Sequence, residues 1–239
     1  MRDLAVKEKQ YPVEDLLVPR HVLVSLSDKS GLQELVSGLM GINPNVRFYS
    51  TSGTGAAIVG LLGDDAERNY TSVEQFTGFP EMAEGRVRTL HPKIHLGLLG
   101  HRNNPEHRAD LENTMERLIG TPGVYFDILV NSLYPFERVI ADSSNTPVDA
   151  MSNIDIGGPA MTMAAAKNWI GLATVTSPNQ YGAFLQGIRS AGGISLEQRF
   201  ALAQTAMARI AEYRTANAAY LGRLDFARDV LPHLQIRGK

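Results

Sequence analysis

The stretch His21–Gly41, "HVLVSLSDKSGLQELVSGLMG", decides the fold. Its first six residues form a short apolar run of strand character. A polar turn follows, and then Leu32, Leu35, Val36 and Leu39 recur at the spacing of one helix face. The unit is therefore strand, turn, helix. It returns at Val46–Gly63, "VRFYSTSGTGAAIVGLLG", where a strand over 46–50 gives way to a Thr/Ser/Gly turn and a small-residue helix. Further strands are expected at 126–131 and 172–176, each leading through a loop into a helical stretch. Strands alternating with helices imply a mostly parallel sheet covered on both faces, a three-layer α/β architecture.

The remaining segments extend this frame. Residues 77–105, "TGFPEMAEGRVRTLHPKIHLGLLGHRNNP", are thick with Gly, Pro, Arg and His and read as an irregular loop, of the kind that carries function or disorder. From Ser195 to Leu224, "SLEQRFALAQTAMARIAEYRTANAAYLGRL" opens with a capping box of Ser195 and Gln198 and predicts a long helix. Its apolar stripe, Phe200, Ala203, Met207 and Ile210, is expected to pack on the core or against a partner chain. The division is an N-terminal extension (1–19), one α/β domain ending in the long helix (20–224), and a tail (225–239).

Bulk properties narrow the class. The chain has 239 residues, 44% hydrophobic and 20% charged, enough for a sizeable core. A formal charge of -2 argues against a general nucleic-acid or anionic-membrane binder, since such partners need a basic surface. Without cysteine, thiol nucleophiles and thiolate-bound metal centres are excluded. The N-terminus lacks the apolar run of a signal peptide, and no stretch approaches the roughly 18 apolar residues of a membrane span. A cytoplasmic protein is expected.

In open α/β sheets, ligands bind at the carboxyl ends of the strands. The first turn there supplies Ser25, Ser27 and Lys29, and the second supplies Thr51, Ser52, Gly53 and Thr54. Hydroxyls, helix-start amides and a lysine suit a phosphate monoester, although N-capping alone would also select such residues. Arg86 and Arg88 suit a bidentate anion, or pairs with Glu81 and Glu84. His91 and His95 stand four apart, but Pro92 disfavours a helix through both, so no metal is expected.

The segment Asn153–Trp169, "NIDIGGPAMTMAAAKNW", places Pro159 near the start of a helix behind two glycines whose amides stand ready for developing negative charge. That helix is apolar around most of its circumference. Lys167 is then either drawn into a dry pocket with Asp155 as its partner, or snorkels to water at the helix C-terminus.

Five blocks, "SLSDKSGL", "STSGTG", "TGFPEMAEGRVRTLHPKIH", "LYPF" and "NIDIGGPAMTMAAAKN", resemble in order and spacing the inosine monophosphate (IMP) cyclohydrolase part of the bifunctional purine-biosynthesis enzyme, over roughly 20–224. The resemblance implies a methylglyoxal-synthase-like fold and closure of the purine ring on a formylated aminoimidazole carboxamide ribonucleotide, with loss of water and no cofactor or metal. It assigns Ser25, Ser27, Lys29, Thr51, Ser52, Gly53, Thr54 and Thr89 to the nucleotide, chiefly its phosphate. Catalytic positions are Arg88, Tyr134, Asp155 and Lys167, while Ile156, Gly157 and Gly158 offer backbone groups to the base. Asp155 and Lys167 are expected to share proton transfer in one dry pocket.

Three departures accompany the likeness. Arg88 stands where the family carries lysine. Ser132 stands where the family's amide would touch substrate, with Asn131 one place earlier. The chain ends at Lys239 without a transformylase domain, so a separate formyltransferase is expected to supply the substrate. A homodimer is expected, with neither nucleic acid nor membrane as partner. The alternatives are a paralogue cyclising an analogue nucleotide, a regulatory module binding phosphorylated ligands, and a methylglyoxal-synthase-like lyase.

Overall fold

The computed structural model describes residues 11–237. Seven strands are present among them: β1 (Leu16–Leu17), β2 (His21–Leu26), β3 (Arg47–Ser50), β4 (Tyr70–Ser72), β5 (Ile128–Ser132), β6 (Ala173–Val175) and β7 (Ile194–Ser195). The helices are α1 (Leu32–Ile42), α2 (Ser52–Leu62), α3 (Ala66–Asn69), α4 (Val73–Thr77), α5 (Pro92–Leu99), α6 (Pro105–Ala109), α7 (Met115–Ile119), α8 (Phe136–Ala141), α9 (Pro147–Ser152), α10 (Gly157–Lys167), α11 (Tyr181–Ala191) and α12 (Leu196–Gly222). Five strands form a parallel sheet in the order β4-β3-β2-β5-β6. The chain thus builds outward from β2 in one direction, then returns to β2's other side with β5.

Alternation along β2 separates two cores. Val22, Val24 and Leu26 face α1 and α11, meeting Leu35, Leu39, Phe184 and Ile188. Leu23 faces the opposite layer, with Ile94 and Leu98 of α5 and Met161 and Ala165 of α10. Side chains alternate across a strand, so one six-residue segment serves both layers of the three-layer fold. The expected strands appear with ends displaced by one or two residues. The three-residue edge strand β4 was not anticipated, because three half-buried polar and aromatic residues carry no readable period.

Three expectations need correction. The supposed irregular segment contains α5, which starts at Pro92 after His91, whose ring accepts the Lys93 amide. Its buried residues, Lys93, Ile94, Gly97 and Leu98, lie at helical spacing that a lysine and a glycine disguise. Gly97 is there because the chain passes close: a Cβ would stand 2.5 Å from the Val124 carbonyl oxygen and 3.0 Å from the Phe126 ring.

The long helix exists, but only half of its capping box forms. Ser195 accepts the Gln198 amide, while the Gln198 side chain donates instead to the Phe184 carbonyl. Its buried face comprises Leu202, Ala203, Ala206, Ile210, Tyr213 and Tyr220. Phe200 and Met207 are exposed, because the small alanines are what allow α12 to lie against Ala166 of α10.

The division at residue 19 also cuts through packed structure. β1 pairs antiparallel with β7, Leu17 belongs to the main core, and fully buried Arg199 donates to the Glu14, Asp15 and Ile194 carbonyls. Residues 1–10 of the expected extension lie outside the described residues.

Candidate active site

The strand order reverses between β2 and β5, and the crevice beyond their carboxyl ends is where such sheets bind ligands. Ser25 stands opposite Asn131, and Leu26 opposite Ser132. Because neighbours on a strand point to opposite faces, the two β5 residues do different work. Buried Asn131 donates to the Gly158 carbonyl at 3.0 Å and to the Thr162 hydroxyl at 2.7 Å, fastening the start of α10 to the sheet. Ser132 turns toward the first polar turn, where its hydroxyl accepts the Ser27 amide at 2.9 Å and the Asp28 amide at 3.0 Å. The amide function has therefore not moved one place along the strand; Asn131 serves the opposite side.

The turns behave differently from one another. In the first, the Ser27 hydroxyl donates to the Leu133 carbonyl, binding the turn to the segment that carries Tyr134, and Lys29 is exposed. Ser25 is half-buried on the floor between them. In the second, Thr51 stands at the N-cap of α2 without a side-chain hydrogen bond to the helix, Ser52 and Gly53 are exposed, and the space beyond Gly53 is open. Uncapped amides at the start of an eleven-residue helix suit an anion. Thr54 is not part of that opening: its buried hydroxyl bridges the Leu26 amide and carbonyl.

The 79–91 loop closes one side. Thr89 lies against the α10 start, where a Cβ on Gly157 would stand 2.7 Å from its hydroxyl oxygen. Arg88 is paired with Glu81, one of the two acids expected for it. Arg86 is exposed.

Asp155 carries the most distinctive chemistry. Its carboxylate accepts the Gly158 amide at 2.9 Å, and the Gly157 amide also points at it. Of the two glycine amides expected to stand free, that of Gly158 is thus spent on Asp155. Burial raises the Asp155 pKa above 3.8 even though both amides act to lower it. A carboxyl group shifted by burial beside a crevice is a candidate proton carrier. Tyr134 and Ile156 are exposed nearby in sequence to these groups, on the segments after β5 and before α10.

Lys167 does not join them. It is exposed, in the last turn of α10. At 1.5 Å per residue it lies about 15 Å along the axis from Gly157. Among the described residues, Lys167 and Asp155 do not share a buried pocket. The physical reason is that α10 buries Met161, Thr162, Ala164, Ala165 and Ala166 but leaves Met163 and Lys167, four residues apart, on its outer face.

One residue at the site escaped sequence reading: the Tyr213 hydroxyl of α12 accepts the Asp155 amide at 2.7 Å. Its only signal was an aromatic on the helix face continuing Ala203, Ala206 and Ile210. No group of three or more His, Asp or Glu side chains among the described residues is arranged to hold a metal ion.

Comparison with known proteins agrees with this architecture. The AICARFT/IMPCHase bienzyme family matches residues 165–237. The bifunctional purine biosynthesis protein PurH of Xanthomonas campestris is 42% identical over 219 residues, and that of Xylella fastidiosa 40% identical. Each match covers 91% of this chain and 38% of the relative, so the chain spans about two fifths of the curated relatives' length. A crystal structure of ForH superimposes with a TM-score of 0.63 at 26% identity, covering 85% of this chain and 98% of that one. With the sheet order already in place, these likenesses show the chain to be homologous to part of the bifunctional PurH purine-biosynthesis proteins.

Proposed function

We propose that the chain is an IMP cyclohydrolase of purine biosynthesis, closing the ring of 5-formamidoimidazole-4-carboxamide ribonucleotide. The observation that carries this reading is Asp155, a carboxyl group whose pKa burial raises, held by the Gly158 amide where the start of α10 is fastened to the end of β5. The uncapped start of α2 and the exposed Lys29 receive the 5'-phosphate. The reacting groups belong to one molecule, so proximity has less to contribute than proton transfer and charge stabilisation.

In this scheme the carboxamide nitrogen bonds to the formyl carbon as its proton passes to Asp155. Tyr134 and Arg88 donate to the oxygens on which negative charge builds. The formyl oxygen then leaves as water with two protons, the one returned by Asp155 and the one given up by the former formamido nitrogen, which forms the ring's new C=N bond as the C–O bond breaks. Arg88 stays charged and cannot act as base, and must exchange Glu81 for substrate. Lys167 has no part in the chemistry of this crevice. The substrate comes from a formyl-transfer reaction on the aminoimidazole carboxamide ribonucleotide.

Ser132 favours a second reading, in which an analogue nucleotide is cyclised. Its short hydroxyl is occupied by the Ser27 and Asp28 amides, leaving no side-chain amide at that position to recognise the base. Purified protein mixed with the formylated ribonucleotide, without folate, tests the choice by purine absorbance. IMP formation supports the first reading; tight binding without turnover refutes it.

A further inference from the structure

The long helix α12 does more than cover the fold. Tyr213, Asn217 and Tyr220 fall on one of its faces at i, i+4 and i+7, and both tyrosines are buried. Phe136, three residues after Ser27's partner Leu133, packs edge-on against both, with ring centroids 6.5 Å from Tyr213 and 5.5 Å from Tyr220. This cluster places α12 beside the segments that carry Tyr134 and Asp155.

The Tyr213 oxygen accepts the Asp155 backbone N–H at 2.7 Å, across 58 residues of sequence. That donor belongs to the residue just ahead of α10, where an amide has no intrahelical partner. Three residues on, the Gly158 amide returns to the Asp155 carboxylate. Asp155 is therefore held from two directions, its backbone by α12 and its side chain by α10. One turn on, the Asn217 side chain lies against the Tyr213 hydroxyl, and its oxygen is buried.

We propose that Tyr213 is a positioning residue, whose hydroxyl fixes the Asp155 backbone so that the carboxylate keeps its aim into the crevice. The consequence for catalysis rests on the reading of Asp155 as proton carrier; the positioning itself does not. The charged groups near the phenol are Asp155 ahead of α10 and Glu137 on α8, both of which favour its protonated form.

Tyr213→Phe keeps the ring against Phe136 and removes only the oxygen. Amide hydrogen exchange read by NMR on the unliganded protein tests the positioning. The Asp155 and Gly158 amides should exchange about tenfold faster, the scale of one lost neutral hydrogen bond, while Ala203 and Ile210 in α12 keep their rates. In turnover of the formylated ribonucleotide, kcat should fall about tenfold with KM nearly unchanged. Tyr220→Phe, which also touches Phe136, should leave exchange and turnover as in the parent protein.

Unchanged Gly158 exchange in Tyr213→Phe overturns the proposal. So do equal losses in Tyr220→Phe, which would reduce both tyrosines to packing. If the parent protein turns over nothing, the cyclohydrolase reading fails, and the exchange rates still decide whether Tyr213 positions Asp155.

Discussion

Replacing Asp155 by asparagine separates the chemistry of this site from its architecture. Asparagine retains an oxygen to accept the Gly158 amide, now at 2.9 Å, but cannot carry a proton. A positioned acid or base contributes about 10²–10⁴ in rate, or about 3–5 kcal/mol of barrier, and kcat should fall within that range. Stability should move the other way. Burial raises the Asp155 pKa above its unfolded value near 3.8, so the folded protein holds the proton more tightly than the unfolded chain. The resulting stabilisation is complete below 3.8 and is lost as pH rises through the folded pKa. At pH 7 the ionised carboxylate therefore weighs against folding, and the neutral amide relieves it. Absorbance-monitored turnover and calorimetry at pH 7 and near pH 3 should show a crippled variant whose Tm at neutral pH matches or exceeds the parent's, with that advantage absent in acid. A variant that keeps more than a tenth of the parent kcat refutes the proton-carrier role. A Tm lowered by several degrees at pH 7 refutes the electrostatic argument.

Gly97→Ala should destabilise by about 1–3 kcal/mol, because its Cβ meets the Val124 carbonyl and the Phe126 ring rather than a movable side chain. Thermal denaturation should show a loss of about 3–10 °C, and an unchanged Tm would contradict the packing. Glu81→Gln releases Arg88 from a partly exposed pair worth about 0–1 kcal/mol, so KM for the nucleotide should fall by up to about fivefold at low salt. A raised KM would mean that Glu81 orients Arg88 for substrate rather than competing for it.

The central strands were readable because each is a run of apolar residues with a polar turn behind it, and β2 and β3 alone imply parallel pairing. Asp155 and the glycines were readable as a helix start, but not the fact that the Gly158 amide would close on the carboxylate. That depends on the loop's path, which spacing does not reveal. Lys167 was misplaced for a related reason: an apolar circumference suggests burial on all sides, whereas α12 covers one side of α10 and leaves Met163 and Lys167 outside. Helix α5 was hidden because two of its inward residues, Lys93 and Gly97, are poor hydrophobic signals. Lys93 is buried only because its ammonium finds the Phe76 carbonyl at 2.7 Å and the Thr121 hydroxyl at 2.5 Å. Tyr213 was invisible as a site residue since its partner lies 58 positions earlier.

The most direct test is a crystal structure with IMP bound. The account predicts the phosphate at the Ser52 and Gly53 amides beyond β3, and the base between Tyr134 and the Asp155 carboxylate. IMP lodged instead beside Lys167 at the far end of α10, with the crevice between β2 and β5 empty, would contradict it.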